Sequence, residues 1–159
     1  MSLIEKIVSG GQTGADRAAL DWAISAGVKH GGWCPKGRLA EDGLIPSQYD
    51  LNETPSEDYA VRTQWNVRDS DATVIMSMHK TIAGGTALTQ MLAVTLGKPW
   101  IHVSADLGID VATRQVEEFL CEHSVKILNV AGPRASEEPG VGRFVKDVLS
   151  GVSCRGPAQ

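Results

Sequence analysis

The chain has 159 residues, of which 42% are hydrophobic and 21% are charged, a composition typical of one ordinary globular domain. Its formal net charge of −4 argues against broad binding to nucleic acids or membrane surfaces, which favour basic proteins. Three widely spaced cysteines without a C-x-x-C pair argue against a disulfide framework or a structural zinc site. We expect a cytoplasmic protein, because the sequence shows neither a secretory leader nor a membrane span of roughly 18 apolar residues.

The first predicted elements are an apolar strand, a glycine-rich turn and a helix. Ile7 and Val8 are typical of a buried strand, and alanines recur at helical spacing from Ala15 onward. The turn at residues 9–16 reads SGGQTGAD, and its glycines allow backbone N–H groups to approach an anion closely. We expect Thr13 and Asp16 to cap the helix. The spacing matches neither the Rossmann nor the P-loop pattern, and a purely structural turn is the alternative interpretation.

A short second strand is predicted around Gly31–Cys34, followed by a long segment from Pro35 to Pro55. Glycine and proline break regular structure in this segment, and its length exceeds the usual connection in a compact domain. Its apolar residues predict an ordered flap that brings Lys36 and Arg38 near a ligand, although a loop cation is often simply solvated. A helix is then predicted from Ser56 to about Asp69.

The second clear strand, Ala72–Met76, repeats the design of the first. It leads through Ser77 into a Gly-Gly-Thr turn at residues 84–86, and apolar residues at helical spacing follow. The remaining pattern predicts strands at 100–103 and 125–130 and helices at 111–120 and 141–149. We expect residues 151–159 to form a disordered tail.

This alternation predicts a single Rossmann-like α/β domain over residues 1–150. It would be a three-layer sandwich, in which a mostly parallel sheet of about five strands carries helices on both faces. Such sheets bind ligands beyond the carboxyl ends of their strands, where both glycine turns begin. A 2-1-3-4-5 strand order would make the two strands neighbours, so that two helix N-termini face one cleft.

The two turns predict an oxyanion site made of backbone N–H groups, hydroxyls and nearby cations. Neither a catalytic triad nor a pair of carboxylates is apparent, so we predict no catalytic residue and no metal ligand. Arg62 and Arg134 are further candidate cations, with a solvated position as the alternative for each. The residues predicted to contact the ligand are Ser9, Gly10, Gly11, Gln12, Thr13, Lys36, Arg38, Ser77, Gly84, Gly85, Thr86 and Thr89.

An ordered series of motifs over about residues 4–150 resembles the putative molybdenum carrier family. The series includes SGGQTGAD at 9–16, ETPS at 53–56, GGT at 84–86 and NVAGPR at 129–134. The resemblance implies a cytoplasmic homo-oligomer, a dimer or tetramer, that holds molybdenum cofactor and passes it to molybdoenzymes. This cofactor is a pyranopterin phosphate with a dithiolene-bound metal, and molybdate or another oxyanion is an alternative ligand. A carrier rather than an enzyme is expected.

The same fold is similar to lysine-decarboxylase-like proteins, which cleave ribose monophosphate from nucleotides. Their turn reads P-G-G-x-G-T-x-x-E, whereas no proline precedes Gly84 here and Thr89 stands where the glutamate falls. A nucleotide phosphoribohydrolase-like enzyme is therefore the alternative function.

Overall fold

The computed structural model describes residues 3–152, and a parallel β-sheet forms its centre. The predicted tail lies outside the described residues from position 153 onward. The strands in chain order are β1 (Lys6–Val8), β2 (Lys29–Gly31), β3 (Trp33–Cys34), β4 (Leu39–Ala40), β5 (Gly43–Leu44), β6 (Asn52–Glu53), β7 (Ala72–Ser77), β8 (Trp100–Ser104) and β9 (Ile127–Ala131).

Five α-helices connect or follow these strands in the part of the chain that the structure describes. They are α1 (Ala15–Ala26), α2 (Tyr59–Arg68), α3 (Gly84–Thr95), α4 (Ile109–Glu122) and α5 (Val141–Gly151). Helix α2 begins three residues later than predicted, because Asp58 caps it by accepting a hydrogen bond from the Ala60 N–H at 2.9 Å. Helix α3 begins earlier than the apolar pattern suggests, so Gly84 and Gly85 are its first residues.

The central sheet has the strand order β2-β1-β9-β7-β8, and all its pairs are parallel. The 2-1-3-4-5 order is therefore wrong, because the last strand lies between β1 and β7. The burial pattern agrees with this order: β9 and β7 are mostly or wholly buried, whereas β2 and β8 keep half-exposed residues that suit the sheet edges.

Helices cover both faces of this sheet. Helices α1 and α4 pack against α5, and α2 packs against α3. Right-handed crossovers require this division, because the chain runs across the sheet in one direction through α2 and α3 and in the other through α1 and α4. The predicted fold class, a Rossmann-like three-layer sandwich, is confirmed. No helix within residues 3–152 has both the length and the apolar character needed to cross a bilayer.

The long segment between Pro35 and Pro55 packs against the loop that follows β1. It contains the antiparallel β4–β5 hairpin, and β6 pairs with β3. The predicted second strand is split, because Gly32 has φ 124° and turns the chain from β2 into β3. Arg38 stays within the segment, where its guanidinium donates hydrogen bonds to the carbonyls of Ile45, Pro46, Tyr49 and Leu51.

Candidate functional site

A cleft lies beyond the carboxyl ends of β1, β9 and β7, between α2 and the start of α3. Its volume is about 120 Å³, slightly less than that of an engineered cavity that binds benzene, about 150 Å³. The lining residues are Gly10, Gln12, Asp16, Tyr59, Arg62, Thr63, Asn66, Gly85, Thr86, Leu88, Thr89, residues 129–134 and Glu137. A cleft of this size holds one small group of a larger ligand.

The structure brings part of the predicted site together at this cleft. The predicted residues that line it are Gly10, Gln12, Gly85, Thr86 and Thr89. The predicted residues outside its lining are Ser9, Gly11, Thr13, Lys36, Arg38, Ser77 and Gly84. The insertion of β9 separates the two glycine turns, so the loop after β9 forms the cleft wall between them.

Three N–H groups at the turn into α1 bond within the protein. The Gln12 N–H donates to Asp16 Oδ2 at 3.3 Å, and the Thr13 N–H donates to the Gln12 side-chain carbonyl at 3.0 Å. The Ala15 N–H donates to the Pro133 carbonyl at 3.2 Å. The predicted Thr13–Asp16 cap is wrong, because the N-cap is Gly14 and no side chain caps the helix.

The glycines of this first turn make room for the protein's own side chains. A Cβ atom on Gly10 would lie 2.0 Å from Nη1 of Arg62, and one on Gly11 would lie 2.6 Å from Leu51. A contact below 3.0 Å forces a shift of the neighbouring atoms. The glycine pattern correctly indicated that other atoms lie close to this backbone. Those atoms belong to Arg62 and to the segment from Pro35 to Pro55.

The N-terminus of α3 has the opposite character. No side chain caps it, and the first N–H groups of an α-helix have no intrahelical partner. A Cβ atom on Gly85 would meet nothing within 4 Å, so the backbone there is open to the cleft. Thr89 is buried and its hydroxyl donates to the Gly85 carbonyl at 3.1 Å. This helix end can therefore bind an anion.

Arg62 faces the cleft from α2. Its Nη1 donates to the Gly10 carbonyl at 2.9 Å and to Asp16 Oδ2 at 3.3 Å, while its Nε is buried without a partner in the protein. The Tyr59 ring lies 5.0 Å from the guanidinium carbon. Burial raises the pKa of Asp16, and the Arg62 charge and the N–H groups of Gln12 and Gly10 oppose that rise.

Sequence reasoning missed most of the α2 wall. Tyr59, Arg62, Thr63 and Asn66 all line the cleft, and their spacing of three or four residues places them on one helix face. Asn66 holds β3 in place, because it accepts from the Trp33 N–H at 2.8 Å and donates to the Trp33 carbonyl at 2.9 Å. A polar stripe on an otherwise ordinary helix was the available signal.

The loop after β9 contributes a second pair of charges. Arg134 Nε lies 2.6 Å from Glu137 Oε1, and both residues line the cleft. Their side chains are about half exposed, so water screens this pair more than the Arg62–Asp16 pair. No three side chains of His, Cys, Asp or Glu within residues 3–152 are grouped as metal ligands.

Ser77 lies outside the cleft, between two histidines. Its hydroxyl donates to the His79 carbonyl at 2.6 Å and lies 2.6 Å from Nε2 of His102. Burial lowers the pKa of His102, with Glu138 opposing that effect. Because the Ser77 proton is used at His79, we assign the Nε2–H tautomer to His102, which donates to Ser77. This arrangement connects β8 to the turn before α3.

Comparison with known proteins agrees with this fold. Residues 7–153 match the family model described as the circularly permutated YpsA SLOG family. The crystal structure of a protein named putative molybdenum carrier protein, from Syntrophus aciditrophicus SB, is 46% identical, with a TM-score of 0.92 over 94% of this chain and 95% of that one. A comparison with curated proteins found no match. The chain belongs to the circularly permutated YpsA SLOG family.

Proposed function

We propose that this cleft binds the phosphate end of an anionic ligand. The observation that carries the proposal is the uncapped N-terminus of α3, which lines the same small cleft as Arg62. The helix end supplies backbone N–H groups and a positive dipole, and the Arg62 Nε–H has no partner in the protein. Both are suited to a doubly charged oxyanion.

We propose that the ligand is molybdenum cofactor, held for storage, protection or transfer to molybdoenzymes. The name of the 46% identical relative, a molybdenum carrier, supports this choice. The cleft volume of about 120 Å³ suits the phosphate, and the pterin would extend outward beside the segment from Pro35 to Pro55. The proposal assigns no protein side chain to the metal, and it places the carrier in the cytoplasm.

Native mass spectrometry of freshly isolated protein tests the proposal. Titration with molybdenum cofactor, nucleotides and molybdate would then rank the ligands, and amide chemical shifts would locate them. We expect molybdenum cofactor to bind most tightly and to shift the Gly85 and Thr86 amides. Binding that leaves both amides unmoved would contradict the proposed site, and a clear preference for a nucleotide would contradict the proposed cargo.

A nucleotide phosphoribohydrolase-like activity is the second candidate, because two carboxylates line the cleft. Asp16 and Glu137 both line it. Asp71 is not a third candidate, because it lies outside the lining and its carboxylate accepts hydrogen bonds from the N–H groups of Lys126 and Ile127. Glycosidic cleavage needs a carboxylate that stabilises positive charge on the ribose. The neutral Thr89 lacks this ability, and a missing interaction of this kind costs about 10²–10³ in rate.

An assay for ribose 5-phosphate release from AMP distinguishes the two functions. We expect AMP to bind with little or no release of ribose 5-phosphate. Two results together would favour the hydrolase function and contradict the carrier function. The protein would release ribose 5-phosphate at ordinary enzymatic rates, and Asp16→Asn or Glu137→Gln would abolish that release. The variant Gly85→Ala serves as a control for loss of phosphate binding, because it leaves both carboxylates in place and its Cβ meets no protein atom within 4 Å.

We further propose that the protein is a homo-oligomer, a dimer or tetramer, whose copies meet through α3. The sequence from Thr81 to Gly97 contains no charged residue, and Met91 and Val94 are 57% and 62% exposed. An uncharged surface that exposes large apolar side chains is often an interaction site. Because an uncharged face opposes no like charges across a twofold axis, a second copy is a suitable partner.

A further inference from the structure

The tip of the β4–β5 hairpin holds this hairpin against the body of the protein through polar contacts. Leu39 and Leu44 pair across the strands, yet they are 46% and 72% exposed. Asp42 instead pairs with Arg17 at 2.5 Å, and Glu41 contacts two loops. The charged tip therefore adds polar contacts to the apolar anchor that the buried Ala40 supplies.

The Glu41 carboxylate occupies a group of hydrogen-bond donors beside the cleft. It accepts from the Thr13 hydroxyl, from the Ser136 N–H at 3.2 Å and from the Ser136 hydroxyl at 2.5 Å. The bonds from Ser136 and Thr13 hold the pKa of Glu41 below its usual range, and Arg134 adds a smaller effect in the same direction. We call the Thr13 hydroxyl and the two Ser136 donors the Glu41 niche.

The Glu41 niche adjoins the cleft through residues that neighbour its donors in the chain. Gln12 and Arg134 line the cleft, and the Gln12 side-chain carbonyl accepts from the Glu41 N–H at 2.9 Å. The Thr13 hydroxyl also accepts from the Ala135 N–H at 3.1 Å, which joins the loop after β1 to the loop after β9. An anion at the niche would thus lie along the same two loops as an anion in the cleft.

We infer that the Glu41 niche is a second anion-binding site, which Glu41 fills while the hairpin is closed. Hydroxyl and N–H donors beside an arginine bind a carboxylate or an oxyanion by the same chemistry. A ligand with a second anionic group displaces Glu41 and opens the hairpin. This inference rests on the proposed function, because the first anionic group lies in the cleft, and it narrows the ligand class to molecules with two separated anionic groups.

Acetate and inorganic phosphate are the probes for this inference. The variant Glu41→Ala removes the internal carboxylate from the niche, and Glu41→Gln removes the charge alone. Glu5→Ala is the matched control, because Glu5 is an exposed carboxylate whose partner is the Lys126 ammonium at 3.8 Å. Amide exchange over residues 39–44 reports hairpin opening, and the Ser136 amide shift reports occupancy of the niche.

We expect Glu41→Ala to accelerate exchange over residues 39–44 by about tenfold, since hydrogen bonds to a charged group are lost. Glu41→Gln should give a smaller increase, and Glu5→Ala should behave like the wild type. Acetate should shift the Ser136 amide of Glu41→Ala at concentrations about tenfold lower than in the wild type.

Two results would overturn the inference. One is unchanged exchange over residues 39–44 in Glu41→Ala. The other is a chemical shift of the Ser136 amide in Glu41→Ala that neither acetate nor phosphate changes, although phosphate changes the shift of the Gly85 amide. This second result would leave the proposed function intact. Conversely, a response at Ser136 with none at Gly85 would support the niche and contradict the proposed cleft site.

Discussion

Arg62 and Asp16 form an ion pair across the cleft, with Nη1 3.3 Å from Oδ2 and side-chain exposures of 11% and 9%. The pair joins α2 to α1 over a separation of 46 residues. It fixes the direction of the guanidinium, with Nη1 bonded to the first glycine turn and Nε buried without a partner in the protein. The principal cation of the proposed site is therefore also part of the fold.

Replacing Arg62 by alanine should weaken both stability and binding. Removing one partner of a buried pair costs about 3–5 kcal/mol, and we expect the lower end because burial already raises the pKa of Asp16. The added change Asp16→Asn should restore part of the stability without restoring phosphate binding. Urea denaturation and phosphate titration measure the two effects. A single variant as stable as the wild type would contradict the role of the pair.

Gly85→Ala should separate helix stability from ligand binding. Alanine in place of glycine stabilises a helix by about 0.5–1 kcal/mol, and the new Cβ meets no protein atom within 4 Å. The methyl group would point into the proposed phosphate site, so we expect at least a tenfold loss of phosphate affinity, about 1.4 kcal/mol. Gly142→Ala in α5 is the control, since its Cβ would make only ordinary contacts away from the cleft. Equal phosphate affinities of the two variants would exclude Gly85 from the site.

The hairpin contacts of Glu41 should be lost only in acid. The pKa of Glu41 is lowered from 4.5 in the folded protein, so its stabilising effect is fully present above about pH 4.5 and disappears as the pH falls through the lower folded value. Carbon-13 titration of the Glu41 carboxylate measures this directly. We expect a midpoint below 4.5 that Ser136→Ala raises. A midpoint at or above 4.5 in the wild type would contradict the contacts.

Val94→Glu should dissociate the proposed oligomer. Val94 is 62% exposed on the uncharged face of α3, so the substitution leaves the folded protomer intact and places like charges opposite each other across a twofold axis. Ile24→Glu on α1, at a position 44% exposed, is the matched control. Light scattering at micromolar concentration should show a protomer mass for Val94→Glu alone. A monomeric wild type would end the proposal.

Local pattern was enough to predict the fold class. The alternation of apolar strands and helices depends on residues that are close in sequence, and right-handed crossovers then require a parallel sheet with two covered faces. The second glycine turn was predicted at a ligand cleft, and Gly85 and Thr86 do line the cleft that the structure shows, whereas Gly84 does not. Their role in binding stays a prediction, based on the N–H groups that a helix start leaves without an intrahelical partner. The family followed from the order of such motifs.

Only the tertiary structure decided which of these elements meet. The insertion of β9 between β1 and β7 is a property of the whole sheet, because it pairs residues that are far apart in the sequence. Arg62 packs against Gly10, 52 positions away in the sequence. Ser136 donates a hydrogen bond to the Glu41 carboxylate, 95 positions away. Sequence spacing carries no information about such contacts, because they form only when separate loops pack along the same edge of the sheet.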